Sequence, residues 1–303
     1  MKTIILLSTY NGETYLRQQL DSICAQDYKG ELELYVRDDG SCDGTKEIID
    51  EYKKKLTIIF DNDCSNYGAA MSFWRLLRTS PAADYYFFSD QDDVWDSDKI
   101  SSAIIKMSAE EKNDKIPVLL CCQSRTIDAN GKIIKSDEGE FPQIDIITQM
   151  ISGEVPGCAM AFNFAALEVL KNTRIDTVVM HDLMLMLYIL AEGKVIYDTN
   201  AHFSRRVHEN NVVANLGKSK YRRYKDALRR WIKNKNMISN MASELIQNEH
   251  CLDKETVYFL KLLCQTKDSI KARFKVVRFV NNTYHNNASA KRSFIIRTLL
   301  GVI

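Results

Sequence analysis

Apolar, β-prone runs recur through the first half of the chain: Thr3 to Leu7, Leu32 to Val36, Leu56 to Phe60, Tyr85 to Phe88 and Val118 to Cys122. Between them stand segments whose apolar residues fall at helical spacing, such as Tyr15, Leu16, Leu20 and Ile23, then Phe73, Trp74, Leu76 and Leu77. Short continuous apolar runs read as buried strands, and their alternation with amphipathic segments predicts βαβ units around a mostly parallel sheet, an α/β fold. Asn130-Gly131 between extended flanks predicts a hairpin. After it the strict alternation ends. Residues 143–152, 164–171 and 181–191 read as helices, 194–207 as one or two short strands, and from about Gly217 the chain reads as helices down to the apolar Phe294 to Leu300. The expected organisation is an α/β catalytic domain over 1–216 and a helical region over 217–303.

Charge sharpens that division. The 303 residues sum to a net charge of +1, yet residues 217–303 carry 19 Lys and Arg against 6 Asp and Glu, and the preceding part 22 against 34. A basic tail suits an anionic lipid surface, nucleic acid or an acidic neighbouring subunit, and charge alone does not choose among them. The eight cysteines include no C-x-x-C pair, so neither a zinc site nor a disulfide framework is signalled, and a reducing cytosol fits. The apolar stretch Ile4 to Leu7 is too short for a signal-peptide core, and no run approaches the roughly 18 to 20 apolar residues of a membrane span.

Candidate chemistry gathers where predicted strands end. Tyr85 to Phe88 runs into Ser89-Asp90-Gln91-Asp92-Asp93-Val94-Trp95, three carboxylates within four residues. Like charges so crowded repel one another and lose solvation as a site closes, so a divalent cation is their natural neutraliser. The alternative is an acidic turn capping the next helix, with Asp96 as N-cap ahead of Lys99-Ile100. Two more strands end in Ser8-Thr9-Tyr10-Asn11-Gly12-Glu13 and Arg37-Asp38-Asp39-Gly40-Ser41-Cys42-Asp43-Gly44-Thr45. Loops of this kind, opening into helices, suit a nucleotide, and Asp38 and Asp39 can accept from a base imide or a ribose hydroxyl. For Ser41 and Asp43, helix capping explains as much. Neither G-x-G-x-x-G nor G-x-x-x-x-G-K-[ST] is present.

In this order the three loops resemble family 2 glycosyltransferases of the GT-A fold, with a T-Y-N-type loop, a D-D-G-S-x-D-G-T loop and a D-x-D motif. The form S-D-Q-D-D-V-W, with Asn66-Tyr67-Gly68 upstream, resembles the bacterial rhamnosyltransferase branch. The resemblance covers about residues 1–216. It implies an inverting, metal-dependent transfer of a sugar, with L-rhamnose from dTDP-L-rhamnose as the leading donor, to a lipid-linked saccharide in surface polysaccharide synthesis. It implies donor contacts from Thr9, Tyr10, Asn11, Glu13, Asp38, Asp39, Asn66, Gly68, Asp90, Gln91 and Asp92, and Mg²⁺ or Mn²⁺ held by Asp90, Asp92 and His208.

Three later segments extend the resemblance. Val155-Pro156-Gly157-Cys158-Ala159-Met160-Ala161-Phe162 is similar to a Gly-rich segment under the acceptor, placing Gly157 and Cys158, with Trp95 and His181, on the acceptor side; a buried strand whose Gly allows close packing remains the alternative. Met180-His181-Asp182-Leu183 is similar to the catalytic-base motif. Asp182 is the candidate to take the acceptor hydroxyl proton, and an N-cap role is compatible with it. Arg205-Arg206-Val207-His208-Glu209-Asn210-Asn211-Val212-Val213 resembles the Y-R-Q-H-x-N-N-V-V ending, with Arg206 set to neutralise the leaving diphosphate. Arg205 stands where Tyr is frequent, and Leu183-Met184 replace an aromatic pair, which puts acceptor identity in question.

In Tyr221 to Lys235, cations interleave with Tyr221, Tyr224, Leu228, Trp231 and Ile232 at helical spacing. Such a helix can lie on an anionic membrane surface, or pack its stripe on the catalytic domain or on a second copy in a homodimer. Nucleic-acid binding is not expected, since no recognised module accompanies the charge. The expected location is cytoplasmic, peripheral on the inner face of the plasma membrane. A sugar nucleotidyltransferase, or a non-catalytic relative keeping the fold, are the competing classes; Ser8-Thr9-Tyr10-Asn11 in place of a basic Gly-rich loop argues against the first, and Asp90, Asp92 and Asp182 together argue against the second.

Overall fold

The computed structural model describes residues 1–61, 63, 65–111, 116–139, 142–153, 155–173, 180–208, 229, 231–232 and 234–303. Among these, residue contacts define two units: one of 1–141, 155–185 and 193–211, the other of 142–154, 186–192 and 212–303. The second therefore draws in two segments that precede residue 216. Tyr221, Tyr224 and Leu228 of the expected basic helix, and Glu209 to Val213 of the last motif, lie outside the described residues.

In the first unit the apolar runs become β1 (Lys2–Thr9), β2 (Glu31–Asp38), β3 (Thr57–Asp61), β4 (Tyr85–Ser89) and β6 (Val118–Ile127). Amphipathic crossovers α1 (Leu16–Cys24), α2 (Thr45–Tyr52) and α3 (Ala69–Thr79) link β1 to β4. They bury Leu16, Leu20, Ile48, Phe73, Trp74 and Leu77 against the sheet. β1 pairs in parallel with β2 on one side and β4 on the other, so the strand order reverses beside β1, and the crevice at the carboxyl ends falls there. Thr9 stands opposite Asp38, and Leu7 opposite Ser89, which brings the three acidic or polar loops to one edge.

Beyond β4 the sheet is mixed. β8 (Met160–Asn163) lies antiparallel between β4 and β6, and β9 (Lys194–Arg206) runs parallel to β6. The stretch expected as one or two short strands is thus a single strand of 13 residues. Its far end pairs with the two-residue β5 (Val94–Trp95), which ties the chain directly after Asp93 to the end of β9. The Asn130-Gly131 hairpin forms between β6 and β7 (Ile133–Ser136), Gly131 supplying the positive φ of +86° that the turn demands. Helix α4 (Lys99–Glu110) follows β5. The expected cap Asp96 does not cap it: that carboxylate pairs with Arg125, and Asp98 takes the N-cap position.

In the second unit, α5 (Ile146–Ser152) and four helices after residue 236 share an apolar core: α8 (Met237–Leu245), α9 (Lys254–Gln265), α10 (Ile270–Thr283) and α11 (Ala288–Leu300). Phe259 stacks on Phe279 with ring centres 5.1 Å apart and stands 6.3 Å from Phe294. Side chains of Asp145, Asp253, Ser269 and Asn287 accept from first-turn amides of α5, α9, α10 and α11, so each of these starts is written locally. Helix α6 (Phe164–Lys171) belongs to the first unit, and α7 (His181–Glu192) opens there.

Candidate active site

The first two loops are knitted together by their own side chains. Asp38, fully buried, accepts from Thr9 Oγ1 at 2.9 Å, Ser41 Oγ at 2.5 Å and the Ser41 amide at 2.9 Å. Asn11, held at a φ of +47°, donates its amide to Ser41 Oγ and accepts from the Cys42 amide with its side chain. Glu13 accepts from the Gly44 amide, and Asp43 accepts from the amides of Glu13 and Thr45, so the capping expected of Asp43 is combined with loop bracing. Asp39 is enclosed as well. Its carboxylate takes Arg37 Nη1 at 2.6 Å and the amides of Tyr67 and Gly68 at 2.8 Å each. In this arrangement Asp38 and Asp39 spend their oxygens on the protein, while Tyr10 and Asn66 are exposed above them.

The acidic motif is braced from several sides. Gln91 holds the Tyr10 peptide at both ends, its Oε1 accepting from the amide at 2.8 Å and its Nε2 donating to the carbonyl at 3.0 Å. A Cβ on Gly12 would meet Gln91 Oε1 at 2.4 Å, so the glycine is what lets the two loops close. Gln19, fully buried, serves the other side in the amide orientation that satisfies both its ends: it donates to the Asp93 carbonyl at 2.7 Å and accepts from Ser89 Oγ and Trp95 Nε1. Trp95 itself is buried, with Phe87 5.9 Å away.

Two groups of ligand-type side chains result. Asp92 Oδ2 lies 2.8 Å from His208 Nε2. Asp90, Asp93 and Cys158 form the second, one ligand atom from each lying within 4.8 Å of the others. Burial, then the charges of Asp93, Asp92 and Asp182, raise the Asp90 carboxyl well above its ordinary range. Burial and Asp92 lift Asp93 to about 7, against a smaller opposing pull from Lys99. One Asp93 oxygen accepts from the Arg206 amide at 3.3 Å, and the other has no hydrogen-bond partner. Two cis ligands of a cation at about 2.1 Å stand roughly 3.0 Å apart, which the Asp92–His208 contact meets. Carboxylate oxygens suit Mg²⁺ or Mn²⁺, while an imidazole ligand favours a transition metal, so the set as a whole accords better with Mn²⁺. The donor set and the crowded, protonation-prone acids therefore fit a divalent cation.

The last motif divides its labour. Arg206 is 2 % exposed and gives all three guanidinium nitrogens to the protein: Nε to the Asp92 carbonyl, Nη1 to the carbonyls of Asp128 and Ala129, Nη2 to Gln18 Oε1. Its plane lies over Tyr15, 4.7 Å from the ring centre. It thus supports the acidic loop from beneath, whereas Arg205 is exposed.

On the acceptor-side segments, Gly157 to Ala159 form one tight turn ahead of β8. The Gly157 amide donates to Asp182 Oδ2 at 3.0 Å, and Asp182 Oδ1 accepts from the Leu183 amide in the first turn of α7. His181 stacks on Phe73 at 4.3 Å and meets the edge of Phe88. Neither of its ring nitrogens has a hydrogen-bond partner, and burial, partly opposed by Asp182, lowers its pKa and keeps the ring neutral. A Cβ on Gly157 would come within 2.8 Å of His181 Nε2, so this glycine is required by close approach. Cys158, the other acceptor-side candidate of this segment, stands against Asp90 and Asp93.

Four contributors were not singled out by residue pattern: Arg37, Gln19, Asp93 as a ligand-type oxygen, and Lys99. Lys99 is buried at the start of α4, its ammonium donating to the Cys158 carbonyl at 2.6 Å. Only Asp93 left a trace in the sequence, as the third acid of the cluster.

A mixed, mostly parallel sheet with its acids gathered where the strand order reverses is the arrangement of the GT-A fold. The TarS 1–349 structure from S. aureus, in complex with UDP-GlcNAc, shares this fold at a TM-score of 0.58 and 16% identity, over 100% of this chain and 90% of that one. A mannosyltransferase from Pyrobaculum calidifontis, solved with GDP-Man and Mn²⁺, matches at 0.52 and 16% identity over 99% and 85%. The chain belongs to glycosyl transferase family 2, whose profile matches residues 4–170. A dTDP-rhamnosyl transferase, RfbG of Shigella flexneri, is 28% identical over 243 residues, 74% of this chain and 80% of that protein.

Proposed function

We propose that this glycosyltransferase moves L-rhamnose from dTDP-L-rhamnose, with inversion, to a lipid-linked saccharide in surface polysaccharide synthesis. The observation that carries the reading is the convergence of the acids with the base candidate: the turn whose Gly157 amide binds Asp182 puts Cys158 against Asp90 and Asp93. The likeness to the Shigella rhamnosyl transferase over most of both chains supports the donor.

In this reading Asp92, Asp90 and His208 hold a divalent cation, with Asp93 close behind them. When bound, the cation supplies positive charge to the departing diphosphate. Asp182 takes the acceptor proton. Each of its oxygens already accepts one backbone N–H, which fixes the carboxylate plane and leaves a second lone pair per oxygen for the hydroxyl. One displacement inverts the anomeric carbon, because the base and the leaving group stand on opposite sides of it. Thr9, Tyr10, Asn11, Glu13, Asn66 and Gly68 shape the donor side, Asp38 and Asp39 through the loops they brace. A donor panel with Mn²⁺ tests the reading: dTDP-L-rhamnose should support turnover, and preference for UDP-GlcNAc or GDP-Man, the sugars bound by the structural relatives, would replace the rhamnose assignment.

The second unit supports a membrane-surface location. No helix among the described residues is long and apolar enough to cross a bilayer. Past Asp268 the chain holds seven Lys and Arg and no acid. On α10, Ile270 and Phe274 are 67% and 61% exposed, one turn apart, with Lys271, Lys275 and Arg278 beside them. Apolar side chains within a cationic face suit anionic headgroups. Co-sedimentation with phosphatidylglycerol vesicles should fall at least fivefold in Phe274→Ser; equal pelleting would remove the membrane claim.

A further inference from the structure

Lys99 is 2 % exposed, and an ammonium removed from water is costly unless its surroundings repay the lost hydration. Here it lies 4.2 Å from the ring centre of Trp95 and 3.8 Å from that of Phe203, and donates to the carbonyl of Cys158 at 2.6 Å. A methionine would fill the same space without the desolvation cost, so packing alone does not account for a lysine. Its partner lies in the turn that joins the two halves of the active site. One residue before Cys158, the Gly157 amide binds Asp182; at Cys158 itself, the thiol stands among Asp90 and Asp93. Burial lowers the pKa of Lys99, opposed by Cys122 on β6, Cys158 on the turn, and Asp93 and Asp90 on the acidic loop, groups that lie on three different segments.

We propose that Lys99 is a positioning residue of the transfer reaction: its ammonium anchors the Gly157–Cys158 turn, and so holds Asp182 at the acceptor, while adding a fixed positive charge beneath the acids of the donor side. This deepens the reading of Asp182 as base and rests on it. The two effects have opposite signs on separable measurements. Without the anchor the turn moves, and misplacing a reacting group by about 1 Å costs up to roughly 100-fold in rate. Without the ammonium, a divalent cation loses a repulsive neighbour, and the acids bind it more tightly.

The test uses the full chain, with Lys99→Met and Lys99→Gln compared with wild type. In Lys99→Met, kcat should fall by about 10- to 100-fold with donor KM changed less than threefold. Mn²⁺ alone, titrated by calorimetry without nucleotide, should bind about threefold or more tightly to the same variant. Lys99→Gln keeps a donor for the Cys158 carbonyl and loses the charge, so it should recover most of kcat yet keep the tighter Mn²⁺ binding. It also serves if the methionine variant does not fold. Unchanged kcat in Lys99→Met overturns the inference, and so does Mn²⁺ binding weakened in both variants, the mark of a merely structural loss. An inactive wild type across the donor panel overturns the function and this inference together; an active wild type with unaffected variants overturns this inference alone.

Discussion

Asp39 was expected to meet the nucleotide, and its surroundings assign it a second task whose size can be worked out. Arg37 is fully buried, with Nη1 shared between Asp39 at 2.6 Å and Ser72 Oγ at 2.9 Å, and Nη2 on the Ser65 carbonyl at 2.6 Å. Asp39→Asn removes the nearer of two carboxylates at this guanidinium, leaving Asp61 Oδ2 at 3.6 Å from Nε, and turns an amide NH₂ toward donors. Breaking a buried pair from one side costs about 3–5 kcal/mol. Asn keeps one acceptor oxygen for the Tyr67 or Gly68 amide, which places the expected loss near the lower end, about 3 kcal/mol. With an urea slope of about 2 kcal/mol per M, the unfolding midpoint followed by circular dichroism should fall by about 1.5 M. Arg37→Met should cost a comparable amount, and the double variant less than the sum by about 1–3 kcal/mol, because the two side chains share one interaction. A residue whose only task was donor contact would raise donor KM and leave the midpoint alone. A loss below about 1 kcal/mol at unchanged slope would refute the structural reasoning.

Other consequences follow from the same geometry. Asp182→Asn should lower kcat by at least about 100-fold with only a small fall in melting temperature, since the Asn oxygen can keep the Gly157 amide while its NH₂ faces the Leu183 amide, and it takes no proton; near-normal turnover would remove Asp182 as base. Gly157→Ala drives a methyl to 2.8 Å from His181 Nε2 and 3.3 Å from Asp182 Cβ, so activity should fall about tenfold or more with a stability loss of about 1–3 kcal/mol. Stability of the metal-free protein should depend on pH through Asp93. Its folded carboxyl, raised to about 7, keeps a proton that the unfolded chain releases near 3.8, so stability falls as pH rises from about 4 to 7, by at most about 1.4 kcal/mol per unit from this group, and levels off above. Asp90 adds a slope of the same sign. Urea unfolding between pH 4.5 and 8 checks this: Asp93→Asn should flatten the profile, and a slope equal to wild type would rule Asp93 out as its source.

The strands β1, β2, β3, β4 and β6 were legible because each carries a continuous apolar run, which a central strand covered on both faces needs. β8 was legible only as an alternative, the buried strand that Val155 to Phe162 allows, and β5 was not, because Val94-Trp95 is a strand only through its pairing with the end of β9. The same limit governs the site. The acids announced themselves, since three carboxylates in four residues demand an explanation on local grounds alone. The cations that organise them did not. Lys99 at a helix start and Arg37 at a strand end read as solvent-facing residues, because Lys and Arg are mostly exposed and only a partner distant in sequence can justify burying one. Those partners come from elsewhere in the chain: the Cys158 carbonyl lies 59 residues after Lys99, and the Ser65 carbonyl 28 after Arg37. Arg206 makes the case from the other direction. Its position in a motif points to the leaving diphosphate, and its guanidinium also binds the carbonyls of Asp92, Asp128 and Ala129, a backbone-fixing task that the motif does not announce. A motif therefore says that a residue type is needed at a place in the chain; whether it touches substrate or holds the residue that does is decided by which oxygens the fold brings within reach of it.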